Sequence, residues 1–457
     1  MSTCTISFRI KQAGFRRMLI LALAAFWLLA ALIPLYRTGF FPPLNQDRTA
    51  NFERLWRAVD AHYPYFAQKG VDWDAIHDRY RPQIEAAESD EAYFALIADM
   101  LAELNDAHTG LIAPNAFYGR LYFGTAKWLD DGVVVDRVGE TGRQAGLKQG
   151  DLLLAINGQP VTEAMAGLPP RLRSGSTPWQ RQANAAFHLL STSGDTLEVT
   201  WETAVGEQRT VILTRPNETP RPAGTTESPE RLIDGRRLPS GLGLIRIPTF
   251  SSKTGHDLVA EFDAALDGLM DAPGIILDLR GNGGGSSFIS DRIGGRFLSQ
   301  PFTYGCETYR RRLPWHAWQL RWQYRIRPRQ PVYTGPLILL IDTGNMSTAE
   351  LFIVAMTDSG RAQTVGRQTA GTSGNPVTFR LPGGGVARFS TGAFRRRDGT
   401  PIEGVGITPD ISTAYTIAAF RQGDDPDLAA AERLLLAVCR KSRNSHTDRT
   451  DWTDFHG

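Results

Sequence analysis

Gly274-Ile275-Ile276-Leu277-Asp278-Leu279-Arg280-Gly281-Asn282-Gly283-Gly284-Gly285 and Pro336-Leu337-Ile338-Leu339-Leu340-Ile341-Asp342-Thr343-Gly344-Asn345-Met346-Ser347-Thr348-Ala349-Glu350-Leu351 share one plan, a short apolar run and then a loop. Runs that are apolar at every position suit strands covered on both faces, hence a largely parallel sheet flanked by helices. Strands and helices alternate around them. Leu244-Ile245-Arg246-Ile247 reads as a strand, and Asp257 to Met270 reads as a helix with Leu258, Phe262, Leu266 and Met270 along one side. The fold class expected is therefore an α/β core, with both loops at strand ends, where open α/β sheets place their sites.

The glycines of the first loop expose backbone N–H groups that can cradle an anion or an oxyanion. That loop lacks the third glycine of GxGxxG, and no GxxxxGK[ST] follows, which disfavours nucleotide binding. In the second loop Ser347 stands where a helix should begin, and a serine there is ordinarily an N-cap. Together the loops supply more: a nucleophile with the N–H of Thr348 next to it, and a second N–H from Gly283 or Gly284. Those are the parts for acyl transfer.

Upstream, Asn51 to about Leu111 is helical in pattern. Phe52, Leu55, Trp56 and Val59 form one stripe, and Tyr93, Phe94, Ile97, Met100 and Leu101 form another, with Ser89 as N-cap and Gly110 closing the pattern. From Leu121 to about Arg215 strands dominate, including Gly132–Val138, and Asn157-Gly158 supplies the turn of a hairpin. Residues 217–237, rich in Pro, Thr, Glu and Arg, read as a linker. The first residues differ in kind. Met18 to Tyr36 is uncharged and, at ~1.5 Å per residue, nearly spans a ~30 Å hydrocarbon layer. Arg9, Lys11, Arg16 and Arg17 before it keep the N-terminus cytoplasmic. A cleaved signal peptide is the rival reading, against which stand the length of the run and the lack of an A-x-A site.

The 457 residues suggest about three domains, and 42% hydrophobic with 21% charged residues is a globular composition. A net charge of +2 leaves no footprint for nucleic acid. Cys4, Cys306 and Cys439 are too few for a disulfide framework or a zinc cluster, although Cys306 and Cys439 could pair. No two histidines stand at metal-binding spacing, so no metal and no cofactor is expected. The basic runs 310–312 and 395–397 read as solvated faces, and the aromatic and Arg-rich stretch 304–329 gets no assignment.

At this point the sequence resembles a family. Leu244 to Asp410 is similar to the catalytic domain of the C-terminal processing, or tail-specific, serine proteases, peptidase family S41, which also contains the tricorn core protease. The matching pieces are Asp278 to Gly285, Met346-Ser347-Thr348-Ala349-Glu350, Asp358-Ser359-Gly360-Arg361-Ala362, Val365-Gly366 and Glu403-Gly404-Val405-Gly406-Ile407-Thr408-Pro409-Asp410. The string Ala145 to Val161 resembles a PDZ domain, in which a peptide adds as a strand. The resemblance implies a ClpP/crotonase-like α/β core preceded by a helical region and a PDZ-like β domain.

Many members of the family use a Ser–Lys dyad. Here Thr372 stands at the lysine position, and no lysine occurs between Lys253 and Lys441. Arginine does not substitute, since it does not give up its proton. The tricorn-like branch implies another base: His108, from Asp106-Ala107-His108-Thr109, with Glu403 as the acidic partner holding the ring. Triads are defined by geometry rather than chain order. No G-x-S-x-G elbow is present, which counts against an α/β-hydrolase.

The expected architecture follows: cytoplasmic N-terminus 1–17, transmembrane anchor 18–36, tether 37–48, helical domain 49–118, PDZ-like domain 121–216, linker 217–237, catalytic domain 238–415, and C-terminal helix and tail 416–457. The expected activity is that of a single-pass inner-membrane serine endopeptidase. It would cut extracytoplasmic, periplasmic proteins near unstructured C-termini through Ser347, His108 and Glu403, with Gly283, Gly284 and Thr348 as the oxyanion hole. Protein or peptide is the only partner expected besides the membrane, and the oligomeric state is left open. The rival is a non-catalytic protein of the same fold that holds a peptide or an apolar ligand.

Overall fold

A computed structural model of the chain describes residues 47–113, 121–215, 231–313 and 316–447. The expected anchor, the cytoplasmic segment, nearly all of the tether, linker residues 217–230 and the last ten residues lie outside these. Among the described residues no helix is long and apolar enough to cross a membrane.

Six strands form the central sheet, in the spatial order Asp234–Arg237, Gly243–Arg246, Ile275–Asp278, Leu337–Ile341, Gln363–Gly366 and Ile411–Ser412. The first is antiparallel to its neighbour and the rest are parallel. Because strand side chains alternate between faces, the apolar runs serve two cores at once. Ile275, Leu277, Leu337, Leu339 and Ile341 pack with Leu258, Phe262 and Leu266 of helix Leu258–Asp267 and with Phe352 and Met356 of helix Thr348–Asp358. Ile276, Ile338, Leu340 and Val365 face the other way, onto Ala431 and Leu435 of helix Pro426–Thr447. Each such side chain contributes ~1.5–3 kcal/mol on burial. The expected linker is corrected at its end: Asp234–Arg237 is the edge strand, paired from Asp234↔Arg246 to Arg237↔Gly243.

The N-terminal helices are Arg48–His62, Phe66–Lys69, Trp73–Glu85 and Asp90–Ala102. Phe52, Leu55 and Val59 interlock with Tyr93, Phe94, Ile97, Met100 and Leu101, and Ser89 accepts the Ala92 N–H as N-cap. The helical pattern does not run to Gly110. It stops at Ala102, Asn105 turns the chain at φ 47°, and Gly110–Ile112 is a strand. That strand pairs antiparallel with Val386–Phe389, which pairs with Val377–Arg380, so the helical region is stitched by hydrogen bonds into the catalytic chain.

Between them stands an antiparallel sheet ordered Gly124–Leu129, Gly132–Val138, Leu152–Ile156, Thr196–Glu202 and Gln208–Thr214. Asn157 and Gly158 take φ 50° and 73°, the positive pair the hairpin turn requires. The unassigned stretch 304–329 lies largely in a long hairpin, Phe302–Leu313 with His316–Ile326, extended by Gly392–Arg396. No disulfide joins Cys306 to Cys439.

Candidate active site

The strands Ile275–Asp278 and Leu337–Ile341 are parallel neighbours, so their following loops emerge side by side. Polar side chains lace them together. Asp342 Oδ1 accepts the N–H of Gly281 at 2.9 Å and of Gly344 at 3.0 Å. Asn345 donates from Nδ2 to the Leu279 carbonyl, and Met346 N–H reaches the Asn282 carbonyl at 3.2 Å.

Ser347 sits at the end of this lacing with φ 57° and ψ −126°, a left-handed backbone for a residue with a Cβ. Such a conformation costs ~1–3 kcal/mol and persists only where its surroundings impose it. Here Ser347 N–H donates to the Thr372 carbonyl at 2.9 Å, and the Ser347 carbonyl accepts from Leu351 N–H at 3.1 Å. Ser347 occupies the N-cap position of helix Thr348–Asp358, yet its side chain caps nothing. The hydroxyl is therefore not engaged by the helix, and the ordinary reading of a serine at this position fails.

The glycine loop closes over that serine. A Cβ on Gly284, at φ 92°, would lie 2.7 Å from the Met346 carbonyl and 2.9 Å from both Ser347 Cβ and Thr348 N. Gly284 is thus required for close approach, but it is not a free donor: its N–H goes to Asn282 Oδ1 at 2.9 Å. Of the three expected oxyanion donors, Gly284 therefore has its N–H already engaged. Thr348 begins the helix, where unpaired N–H groups and the helix dipole favour negative charge, and its hydroxyl is tied to the Gly285 carbonyl at 2.8 Å.

Glu350, one turn into the same helix, is fully buried. Its carboxylate accepts the N–H of Gly371 and of Thr372, each at 2.8 Å, and the hydroxyl of Thr369. Burial pushes it up to about 7 despite these bonds. Glu350 thereby fixes the segment whose Thr372 carbonyl holds Ser347. Thr372, which stands where the resemblance would place a dyad lysine, is buried, and its hydroxyl meets Ser176 Oγ at 3.3 Å.

His108 lies beside the same segment, next to Ser373. The Asp106 side chain shapes its turn, accepting His108 N–H at 2.8 Å and the Thr109 hydroxyl at 3.0 Å, two residues before the strand that enters the catalytic chain. The ring is 4% exposed, and the Ser373 carbonyl lies close enough to favour its protonated form. Burial outweighs this and pushes the imidazole down to about 4, so at neutral pH it is an uncharged base. Ser347 and His108 thus flank consecutive residues, Thr372 and Ser373. Among the described residues, no hydrogen bond joins the Ser347 hydroxyl to the ring, and His108 Nδ1 is buried without a partner.

Glu403 is completely buried beside them, but its oxygens face elsewhere than expected. Oε2 accepts Ser373 N–H at 2.7 Å, and Oε1 accepts from Lys69 Nζ at 2.5 Å. The carboxylate therefore reaches His108 through Ser373 and not by a direct bond to the ring. The residues around it come from the helical region. Lys69 Nζ also donates to the Asn105 carbonyl at 2.5 Å, and Gln68 Nε2 to the Glu403 carbonyl at 2.7 Å. Tyr65 hydroxyl bonds Ser373 Oγ at 3.0 Å and the Gly392 carbonyl at 2.9 Å. The antiparallel-sheet domain contributes as well: Thr177 Oγ1 donates to the Ala370 carbonyl at 3.0 Å, and Trp179 Nε1 to the Thr369 carbonyl at 2.8 Å. The sequence carried no motif for Tyr65, Lys69, Thr177 or Trp179. Their only signal was the lysine beside a glycine at 69–70, which marks a helix end and nothing more.

The chain is similar to known proteins over most of its length. Residues 241–413 match peptidase family S41 and residues 44–102 match the tricorn protease C1 domain. A carboxyl-terminal-processing protease of Synechocystis sp. is 24% identical over 422 residues, covering 89% of this chain and 90% of that protein. Two tricorn protease homologues of Streptomyces coelicolor are 23% and 22% identical over 85% and 86% of this chain, which spans only 32% and 35% of their length. Among solved structures, mature CPAF superposes with a TM-score of 0.70 at 17% identity, covering 87% of this chain and 98% of that one, a likeness of fold.

Proposed function

The chain belongs to peptidase family S41 and is a serine-type peptidase, and from that premise we propose that it is an endopeptidase in which Ser347 attacks the scissile carbonyl with His108 as its base. Neutral His108 takes the hydroxyl proton, the N–H groups of Gly283 and Thr348 receive the oxyanion, and His108 returns the proton to the leaving amine. Water then repeats the cycle on the acyl-enzyme. Glu403 acts as the acidic member through the Ser373 N–H, fixing the segment against which the ring lies.

The observation that carries this reading is the strained Ser347 backbone, positive in φ at a helix start, with a hydroxyl the helix does not use. Strain of this kind persists where it exposes a reacting atom. Catalytic hydrogen bonds are often open in a free enzyme and close with substrate, which accommodates the unmade Ser347–His108 bond.

The substrates proposed are extracytoplasmic proteins cut near unstructured C-termini, as the names of the processing-protease relatives suggest, with the enzyme held at the inner membrane by residues 18–36. The sheet domain has the means to hold such a tail. Tyr122, Gly124, Thr125, Arg137, Val138, Gly139 and Phe187 line a hollow of about 450 Å³ in which Tyr122 and Phe187 stay exposed. We propose that this hollow, between strand Gly124–Leu129 and helix Pro178–His188, serves as a PDZ-like groove, with Arg137 to meet a terminal carboxylate.

The rival, a non-catalytic binder, draws on the same unmade bond. A fluorophosphonate probe separates the two: labelling at Ser347, lost in Ser347→Ala and His108→Ala, is expected of the peptidase. Peptide binding by an unlabelled, folded chain would establish the rival.

A further inference from the structure

We infer that Lys69, on the helical region, is a positioning residue for this catalytic centre, orienting Glu403 and favouring its carboxylate form so that Ser373 and His108 are held in register with Ser347. The inference rests on the reading of Ser347 and His108 as nucleophile and base.

Lys69 ends the short helix Phe66–Lys69, where Gly70 in a left-handed conformation turns the chain away. Its side chain is only 9% exposed and that of Glu403 is fully buried. A buried carboxylate without a cation takes up a proton, because desolvation penalises the charged form. The Lys69 ammonium, at 2.5 Å from Oε1, is the counter-charge in contact. It is itself held by the Asn105 carbonyl and lies 5.6 Å from the centre of the Tyr65 ring. Both anchors belong to the helical region, so the cation is oriented before it meets Glu403.

The other ionisable groups around Glu403 do not replace it. Asp106, Tyr63 and Tyr65 face the carboxylate from the helical region; burial first and then Asp106 push the Glu403 carboxyl up, and Lys69 followed by the Ser373 N–H pulls it back down. Glu350 lies across the 369–372 segment, His108 beside Ser373, and Arg388 on the adjoining strand acts on Asp106 and His108. Deprotonated Glu403 accepts Ser373 N–H, and the Ser373 carbonyl faces the imidazole. A protonated Glu403 would hold Ser373 more weakly, since hydrogen bonds to a charged acceptor are about twice as strong as neutral ones. Lys69 does not stand in for the lysine of a Ser–Lys dyad, because its ammonium is fastened to Glu403 and Asn105.

The test is the pH dependence of fluorophosphonate labelling of Ser347, read beside peptide turnover. In Lys69→Met, and equally in Lys69→Gln should the first variant fail to fold, the acid limb is expected to move alkaline by about one to three pH units. Turnover should fall through kcat with KM unchanged, because Lys69 does not touch substrate. Lys69→Arg should restore the wild-type limb. Adding Lys69→Gln to Glu403→Gln should slow labelling no further than Glu403→Gln alone. A folded Lys69→Gln chain that labels along the wild-type profile, or more slowly with the limb unmoved, would overturn the inference. If wild-type chain is not labelled at all, it is the assignment of Ser347 that fails.

Discussion

The two sides of the proposed active site are built in different ways. The nucleophile side is local: two loops at the ends of adjacent parallel strands, laced by Asp342 and Asn345, present Ser347 from the rigid core. The base side is assembled from afar. His108 and Tyr65 reach the 372–373 segment, and Lys69 reaches Glu403, from the helical region, which meets the catalytic chain through the strand Gly110–Ile112 and a shared core with Phe379, Leu381, Ala387 and Phe389. Positions set by a strand end are fixed once the sheet forms, whereas positions set by docking depend on every contact across the seam.

The largest expected effect tests whether the two sides form one unit. Ser347→Ala and His108→Ala should each lower kcat on the order of 10⁶-fold, and the double variant should be no worse. Additive losses in peptide turnover would show the sides working independently.

Next comes the glycine loop. Gly284→Ala should slow labelling of Ser347 by ~10²–10³-fold as Thr348 and the oxyanion site shift. It should also destabilise by ~1–3 kcal/mol in urea, since the added methyl meets backbone. Gly283→Ala, where the space is open, should keep its N–H and lose little of either.

A pH-dependent difference should appear in stability. Glu350 titrates at about 7 when folded and near the ordinary 4.5 when unfolded. Between those values the folded chain holds the extra proton, so stability falls as pH rises through the window, by ~3 kcal/mol in all. Urea midpoints should show that this slope is missing from Glu350→Gln.

The smallest effect sharpens the seam itself. Tyr65→Phe removes a buried hydroxyl from Ser373 and Gly392 and should cost ~0.5–1.5 kcal/mol, measurable by thermal melting, with a loss of turnover larger than this stability change explains.

The same contrast governs what could be read from the sequence. Leu337–Ile341 and Ile275–Asp278 announce themselves because a strand covered on both faces must be apolar at every position, and the loops carrying Ser347 and Gly284 follow by adjacency. Asn157-Gly158 was equally plain, since few residue pairs accept two positive φ values. His108 could be placed only through a motif. The fastening of Glu403 to Lys69 was invisible, because 334 residues separate the pair and no periodicity encodes a contact made by docking. The assignment of Gly284 as an oxyanion donor missed a side chain two residues away, Asn282, taking its N–H. The hairpin within 304–329 has a local signal too, since Gln319-Leu320-Arg321-Trp322-Gln323 alternates in polarity as strands do.

One thread of backbone, Gly110–Ile112 laid against Val386–Phe389, has a consequence for how the enzyme comes into being. On the proposed reading, a chain whose residues 48–112 have not settled onto the rest has the serine without its base, so newly made copies are expected to be inert toward one another until assembly is finished.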